Sequence, residues 1–337
     1  MRMINQSSIR SAVVLGAGII GLTTALTLQS HGYAVRIIAD KTPMDTTSAI
    51  SAALWFPYRA EPLSSVMRWS TMAYNVFLRQ QYEYPDCGIM TTRFIEVFSD
   101  EPEHLWWRNL VPNVERVSKQ EMISDFPQFT AGFATNVPVI QMHLYLPFLW
   151  ALFEKQGGTF TQETITDIAT LCANTPSNIM LINCTGLGAK HLLDDKLMYA
   201  LRGDVIVVEN HGLRRSVIHE YSSTNPRYTI AREHDVVIGG TAFQYDDCIC
   251  KEDIAHLTMP LQQHYEKVLQ TSAALEPSLT NAPILAYKVG LRPGRTMVRL
   301  EKEFLYGRAV VHNYGHGGSG ITLSWGCARD AVTLLDV

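Results

Sequence analysis

Apolar residues in this 337-residue chain change their spacing from place to place, and the changes predict its elements. Ala12 to Leu15 form an unbroken β-prone run. Ile20, Leu22, Ala25, Leu26 and Leu28 then recur at helical spacing, and Tyr33 to Ala39 returns to a strand. Ser11 to Lys41 thus reads as strand, glycine turn, helix, strand, with Gly32 at the helix C-terminus. Val66, Trp69, Met72, Ala73, Val76 and Phe77 stand three and four apart and predict a helix over Pro62 to Tyr82; Met90 to Phe98 is strand-like. Glu101 to Pro127 is charged and interrupted by prolines, so only short elements are expected there. Leu144 to Gln156 predicts an amphipathic helix stopped by Gly157-Gly158, then a strand with a loop over Thr159 to Ile168, then an apolar strand from Ile179 into a glycine turn at Gly186.

The pattern then changes. Val205–Val208, Ser216–His219, Tyr228–Ala231 and Val236–Ile238 are strand candidates without helices between them, which favours an antiparallel sheet. A helix is expected over Ile254 to Ala274. Ile284–Gly290 and Val298–Leu300 flank the segment Leu291 to Arg295. Ala309 to Asn313 predicts a strand, Tyr314 to Gly320 a glycine loop and Ile321 to Leu335 a final helix. A βαβ opening with an antiparallel block placed inside it predicts an α/β (α+β overall) protein with a second, mixed domain inserted into the first.

Composition narrows the classes. The length suits one or two domains, and 47% hydrophobic with 18% charged residues is ordinary for a soluble globular protein. A formal charge of −4 offers no general attraction to nucleic acid or an acidic membrane. No secretory leader is expected from the first ten residues, and the most apolar stretch, Val137 to Phe153, is too short and too interrupted to span a bilayer. The ending TLLDV is not a peroxisomal address, which leads us to expect a cytoplasmic protein. Six scattered cysteines without a CxxC pair read as reduced thiols.

The glycine turn carries chemistry. In Gly16-Ala17-Gly18-Ile19-Ile20-Gly21 the first glycine permits the tight turn, the second admits a pyrophosphate to the backbone, and the third lets helix and strand pack closely. Asp40 follows about 20 residues on, where a carboxylate accepts from ribose hydroxyls. The unit predicts a dinucleotide and leaves NAD and FAD equally open. Thr46, Thr47 and Ser48 suit phosphate or ribose contacts, and Trp55-Phe56-Pro57-Tyr58 reads equally as a core cluster. The loop before the final helix is a second anion-friendly helix start. His312 and His316 lack a nearby Cys or carboxylate partner, so no metal site is expected.

Taken together, GAGIIG at 16–21, ADK at 39–41, TTS, AALW and PY within 46–58, NCTG at 183–186, RYTIAR at 227–232, GLRPGR and VRLE at 290–301, and HNYGHGGSGITLSWGCA at 312–328 resemble the D-amino-acid oxidase family, D-aspartate oxidases included. The resemblance runs from end to end, and the last two blocks are highly specific. It implies a Rossmann-type FAD domain (1–55, 140–195 and 280–337) interleaved with a mixed-sheet substrate domain (56–139 and 196–279). It implies oxidation of a D-amino acid, by hydride transfer from Cα to the flavin, to an imino acid that hydrolyses to a 2-oxo acid and ammonia. Oxygen is then reduced to hydrogen peroxide. Arg292 matches the residue that grips the substrate carboxylate, Tyr228 a second carboxylate contact, and Gly318 the carbonyl that accepts from the amine. Gly16 to Gly21, Asp40, Lys41, Thr46, Thr47, Ser48, Ala53, Leu54, Thr164, Thr185, Arg292 and the run Gly317, Gly318, Ser319, Gly320, Ile321, Thr322 match FAD contacts.

Two departures concern substrate. Phe56 stands where mammalian relatives carry Gln, and Phe243 where yeast relatives carry a second active-site tyrosine. Both lean toward neutral or apolar D-amino acids. A D-aspartate oxidase would need a further cation, for which Arg232, His219 and His234 are the nearby candidates. Glycine or sarcosine oxidase is a more distant alternative, and an NAD-dependent dehydrogenase explains only the opening unit. The short stretch from Glu220 to Arg227 leaves little chain for a long lid, with Tyr221 as a cover residue. Members of the family are often dimers.

Overall fold

Strands of two sheets alternate along the chain, so neither sheet is built from one continuous segment. The computed structural model describes residues 10–219, 226–246, 261–272 and 274–335. The strands are β1 (Arg10–Leu15), β2 (Tyr33–Ala39), β3 (Ile89–Phe98), β4 (Glu115–Arg116), β5 (Ala131–Ile140), β6 (Thr159–Gln162), β7 (Ile179–Asn183), β8 (Met198–Glu209), β9 (Arg215–His219), β10 (Arg227–Ala231), β11 (Asp235–Gly239), β12 (Phe243–Tyr245), β13 (Ile284–Arg295), β14 (Arg299–Leu305) and β15 (Arg308–Tyr314). The smaller sheet has the order β14-β15-β7-β1-β2-β6. Its pairs are parallel except β14 with β15. β1 lies between two parallel neighbours and buries its last four residues, which is why an unbroken apolar run marks it.

The larger sheet runs β12-β8-β11-β10-β9-β3-β5-β4, with β13 on β8. It is antiparallel, as expected, except for β3 against β9. β8 takes β13 along one edge and β11 and then β12 along the other, so it is buried almost throughout. The helix Ile19–Ser30 packs against the helices Met142–Lys155 and Gly320–Thr333, and the helix Leu63–Glu83 packs against the last of these. One apolar cluster includes Val14 and Ile182 from the small sheet and Phe94, Val139, Val205 and Ile230 from the large one. The two sheets therefore share a core, and the space between them has fixed walls. Among the described residues no helix is long and apolar enough to cross a membrane.

Three local readings change. Ala131 to Ile140 is a full strand of the large sheet, although it contains Pro138 and its apolar character reads on into the following helix. β13 runs unbroken through the segment expected to be a connection, pairing Arg292 with Leu201 and Pro293 with Ala200. Only β8 pairs with β13 among the described strands, and an edge strand tolerates the missing proline N–H. This strand, assigned to the 280–337 segment by sequence, thus sits in the large sheet. The helix expected over Ile254 to Ala274 is seen as Gln262–Ser272, its first part lying outside the described residues. Cys87, Cys172, Cys184 and Cys327 are buried free thiols, while Cys248 and Cys250 lie outside the described residues.

Candidate active site

A cavity of about 740 Å³ runs between the two sheets, from the glycine turn after β1 to the face of β13 and β10. Its first wall is the turn itself. Gly16 has φ +103°, and a Cβ there would meet the Cys184 carbonyl at 2.5 Å, so the turn lies against the end of β7. A Cβ on Gly21 would come within 1.9 Å of the Gly16 carbonyl oxygen, so this glycine lets helix and turn touch. The helix Ile19–Ser30 begins at Gly18 with no hydroxyl of its own to cap it; the Ser48 Oγ accepts from the Ile19 N–H at 3.1 Å. Asp40, Lys41, Glu163 and Thr164 line the cavity where β2 and β6 end.

The segment 46–58 crosses to the other sheet. Thr47 Oγ1 donates to the Leu291 carbonyl at 3.2 Å and thereby holds this segment to β13. Ala53 takes a left-handed conformation, φ 57°, and its carbonyl accepts from the Ile140 N–H at 2.9 Å, turning the chain toward Phe56. The final helix clasps the end of the segment. Ser319 Oγ accepts from the Tyr58 N–H and donates to the Tyr58 carbonyl, both at 2.6 Å. Thr322 Oγ1 does the same for Phe56, at 3.2 and 3.1 Å.

The far wall is the large sheet. Val205, Gly239, Tyr228 and Ile218 lie in one cross-strand row, and Gly290 pairs with Gly203 beside it. The glycines of this floor make room for two side chains. A Cβ on Gly203 would lie 2.3 Å from Arg292 Nη2, and one on Gly239 would lie 2.1 Å from Tyr228 Cζ, so guanidinium and phenol rest flat on bare backbone. Arg292 Nη1 donates to the Thr241 carbonyl at 3.0 Å. Burial pushes the Tyr228 phenol up, against the opposing effect of the Arg292 charge and its hydrogen bond, so the hydroxyl remains a donor at neutral pH. Gly318 approaches the same place: a Cβ there would contact Tyr58 at 2.8 Å and Arg292 Cδ at 3.7 Å.

Of the residues singled out by sequence, Arg292, Tyr228, Gly318 and Phe56 line this cavity together with Gly16 to Ile20, Asp40, Lys41, Thr46 to Ser48, Ala53, Leu54, Thr164, Thr185, Gly317 and Gly320 to Thr322. Three do not. Gly21 packs against the turn, Ser319 spends its hydroxyl on Tyr58, and the Phe243 ring packs on His264 at 4.9 Å. Phe243 sits on β12, at the outer edge of β8, which is why it misses the cavity. The expected cations also fall elsewhere. Arg232 is buried and paired with Asp235, His219 stacks on Phe129, and His234 is exposed. Lys288 lines the cavity instead, and burial lowers its pKa. Tyr58 and Ile230, inside the PY and RYTIAR blocks but assigned no role by sequence, also line it, as do Ile218 and Val205, which lie in no motif. In the strands the only available signal was alternation on the Tyr228 face. Tyr221 and the rest of 220–225 lie outside the described residues.

Buried polar atoms test the fit to a flavin dinucleotide. Asn313 Oδ1 and His316 Nε2 belong to residues lining the cavity, are buried, and have no hydrogen-bond partner. Burial lowers the His316 imidazole to about 3, so it stands neutral. Together with the helix start and the glycine turn, these groups fit a large polar, partly anionic ligand.

Comparison with known proteins agrees. The profile of the family described as FAD dependent oxidoreductase (DAO) matches residues 11–334. A D-amino-acid oxidase of Rubrobacter xylanophilus is 37% identical over 325 residues, covering 96% of this chain and 95% of that protein. Human D-aspartate oxidase is 30% identical over 334 residues, covering 96% and 93%. Among solved structures, glycine oxidase from Geobacillus kaustophilus superposes with a TM-score of 0.79 at 15% identity, over 97% of this chain and 94% of that one, a likeness of fold.

Proposed function

Since the chain belongs to the FAD-dependent oxidoreductase family DAO, we propose that it oxidises neutral and apolar D-amino acids to 2-oxo acids and ammonia, with oxygen as acceptor and hydrogen peroxide as product. The observation that carries this reading is the meeting of Arg292, Tyr228 and Gly318 at one wall of the cavity. Arg292 presents a planar fork suited to a carboxylate, and the Thr241 carbonyl occupies one of its N–H groups. The Tyr228 hydroxyl adds a second donor for the same carboxylate. The Gly318 carbonyl accepts from the substrate amine, and the glycine leaves space for that approach. FAD, when bound, supplies the two-electron acceptor for the Cα–H bond. The protein contributes orientation. Among the described residues, the carboxylates that line the cavity, Asp40, Asp45 and Glu163, belong to its β2–β6 end, so none of them is on the Arg292 wall to take the α-proton. With carboxylate, amine and side chain each held, the two enantiomers direct Cα–H oppositely, and only one is productive.

Leu54, Phe56, Ile218 and Ile230 give an apolar lining for the side chain. The same reading divides the work between the sheets, the cofactor on the smaller and the amino acid on the larger, with β13 belonging to the substrate side. Lys288 favours a second reading, oxidation of acidic D-amino acids. The test is peroxide release by the FAD-loaded protein with D-Ala, D-Met, D-Phe, D-Lys, D-Asp, glycine and the matching L forms. Turnover of neutral D forms alone is the expected result. A preference for D-Asp would replace the apolar reading by the second one. No peroxide from any amino acid, and no anaerobic bleaching of the flavin band, would end both.

A further inference from the structure

Behind Arg292 the large sheet buries a charged pair that the proposed reaction does not use. Arg202 and Asp204 are 2% and 0% exposed. They flank Gly203 on β8, so their side chains project from the face opposite to the one on which the Arg292 guanidinium lies. Asp204 accepts from Arg202 Nη2 at 2.6 Å and from Arg202 Nε, and its Oδ2 meets His264 Nδ1 at 3.1 Å. The same Oδ2 accepts from Thr241 Oγ1 at 2.6 Å, and Thr241 Oγ1 accepts from the Asp204 N–H at 2.9 Å. Thr241 is thus tied twice to Asp204 through its side chain, while its carbonyl holds Arg292.

The setting explains why a tether is needed. Thr241 follows Gly239 and Gly240, both kept bare by the Tyr228 ring lying on them. Gly239 is held in the ladder between Tyr228 and Val205, and the Gly240 N–H donates to the Pro226 carbonyl at 2.6 Å; Thr241 then lies beyond the end of β11. Past that ladder, the two side-chain bonds to Asp204 are what fix Thr241, and with it the carbonyl that orients the substrate arginine. A buried ion pair is a poor source of net stability, because desolvation offsets most of its attraction, so fixing a geometry is the better account of it. Asp204 stays ionised for this purpose: burial alone would raise its carboxyl, but Arg202 and the Thr241 hydroxyl hold it below the ordinary value.

We infer that Asp204 and Thr241 are positioning residues, whose double tether fixes the carbonyl that aims Arg292 at the substrate carboxylate. The inference rests on the proposed oxidase function. Its test compares wild type, Thr241→Val, Thr241→Ser and Asp204→Asn as FAD-loaded proteins. The readouts are kcat and KM with D-Phe, and the affinity for 3-phenylpropanoate, the same acid without its amine, followed by the flavin spectrum. Thr241→Val should raise KM and weaken the plain carboxylate about tenfold, since misaligned groups lose contact energy steeply. It should lower kcat as well, because the proposed reaction depends on orientation, while the plain carboxylate, which does not react, reports the alignment of Arg292 on its own. Thr241→Ser restores the hydroxyl and should restore both values. Asp204→Asn, nearly isosteric, should repeat the Val result and carries the test if Thr241→Val does not fold. Wild-type KM and carboxylate affinity in Thr241→Val or in Asp204→Asn would overturn the tether, as would equal losses in Thr241→Ser. Failure of the underlying function shows separately, in the wild-type protein alone.

Discussion

Arg292 shows how much one residue depends on the backbone under it. Its fork reaches the cavity because Gly203 offers no side chain and the Thr241 carbonyl holds one N–H. Arg292→Lys keeps the charge but loses the fork. We expect kcat/KM for a neutral D-amino acid to fall by the equivalent of about 2–5 kcal/mol, with FAD retained. Wild-type kinetics in that variant would remove Arg292 from the carboxylate site. Tyr228→Phe deletes one donor, and KM should rise by the equivalent of about 1.5–3 kcal/mol, the worth of a hydrogen bond to a charged group. At this scale the sequence was informative only through its motifs. GLRPGR and RYTIAR pointed to Arg292 and Tyr228. Thr241 and Asp204 gave no signal, because their bonds join residues far apart in sequence and one is made by a main-chain carbonyl. Phe243 drew attention because it stands where yeast relatives carry a second active-site tyrosine, yet it pairs with Arg202 on β8 and turns to His264.

Among the elements, the opening strand–turn–helix is the most demanding. The Gly21 helix start and the Gly16 carbonyl are so close that Gly21→Ala must push them apart. The expected result is loss of FAD retention and a lower melting temperature, read by flavin absorbance after gel filtration and by calorimetry. Full retention of FAD by Gly21→Ala would mean that the turn is not the dinucleotide seat. This unit was legible because its forces are local: periodicity, glycines and one acidic residue within a single stretch. β13 was less legible, since a proline and two glycines near its end read as a connection, and only its place beside β8 keeps it a strand. β5 was hidden because its apolar residues run straight into the next helix.

Across the whole molecule, buried histidines tie stability to pH. His316 and His219 are held by burial at about 3 and about 4, below the ordinary 6.5, with the Arg227 charge also lowering His219. Below about 6.5 the unfolded chain takes up protons that the folded one refuses, so stability falls as pH drops from there toward those lower values; above it both states are neutral and the effect vanishes. Urea midpoints at pH 7.5, 6 and 5 should therefore decline, and His316→Gln should flatten the decline. An unchanged slope in that variant would show that the ring is not the source. The interleaving of two sheets was legible as a change of pattern from βαβ to consecutive strands and back. The shared core that welds them was not, because no local pattern specifies which faces meet.

The clasp between the final helix and residues 56–58 also sets an order of events in the cell. Ser319 and Thr322 supply the four hydrogen bonds to Phe56 and Tyr58. β15, which leads into that helix, sits inside the small sheet between β14 and β7. Both follow the glycine turn and Arg292 in the chain, so during synthesis they leave the ribosome later. A nascent chain thus displays most of its cavity-lining residues before it has a closed place to hold anything. Flavin capture belongs after the final helix has emerged, and a chain halted at Tyr314 should be colourless, with no flavin retained on gel filtration.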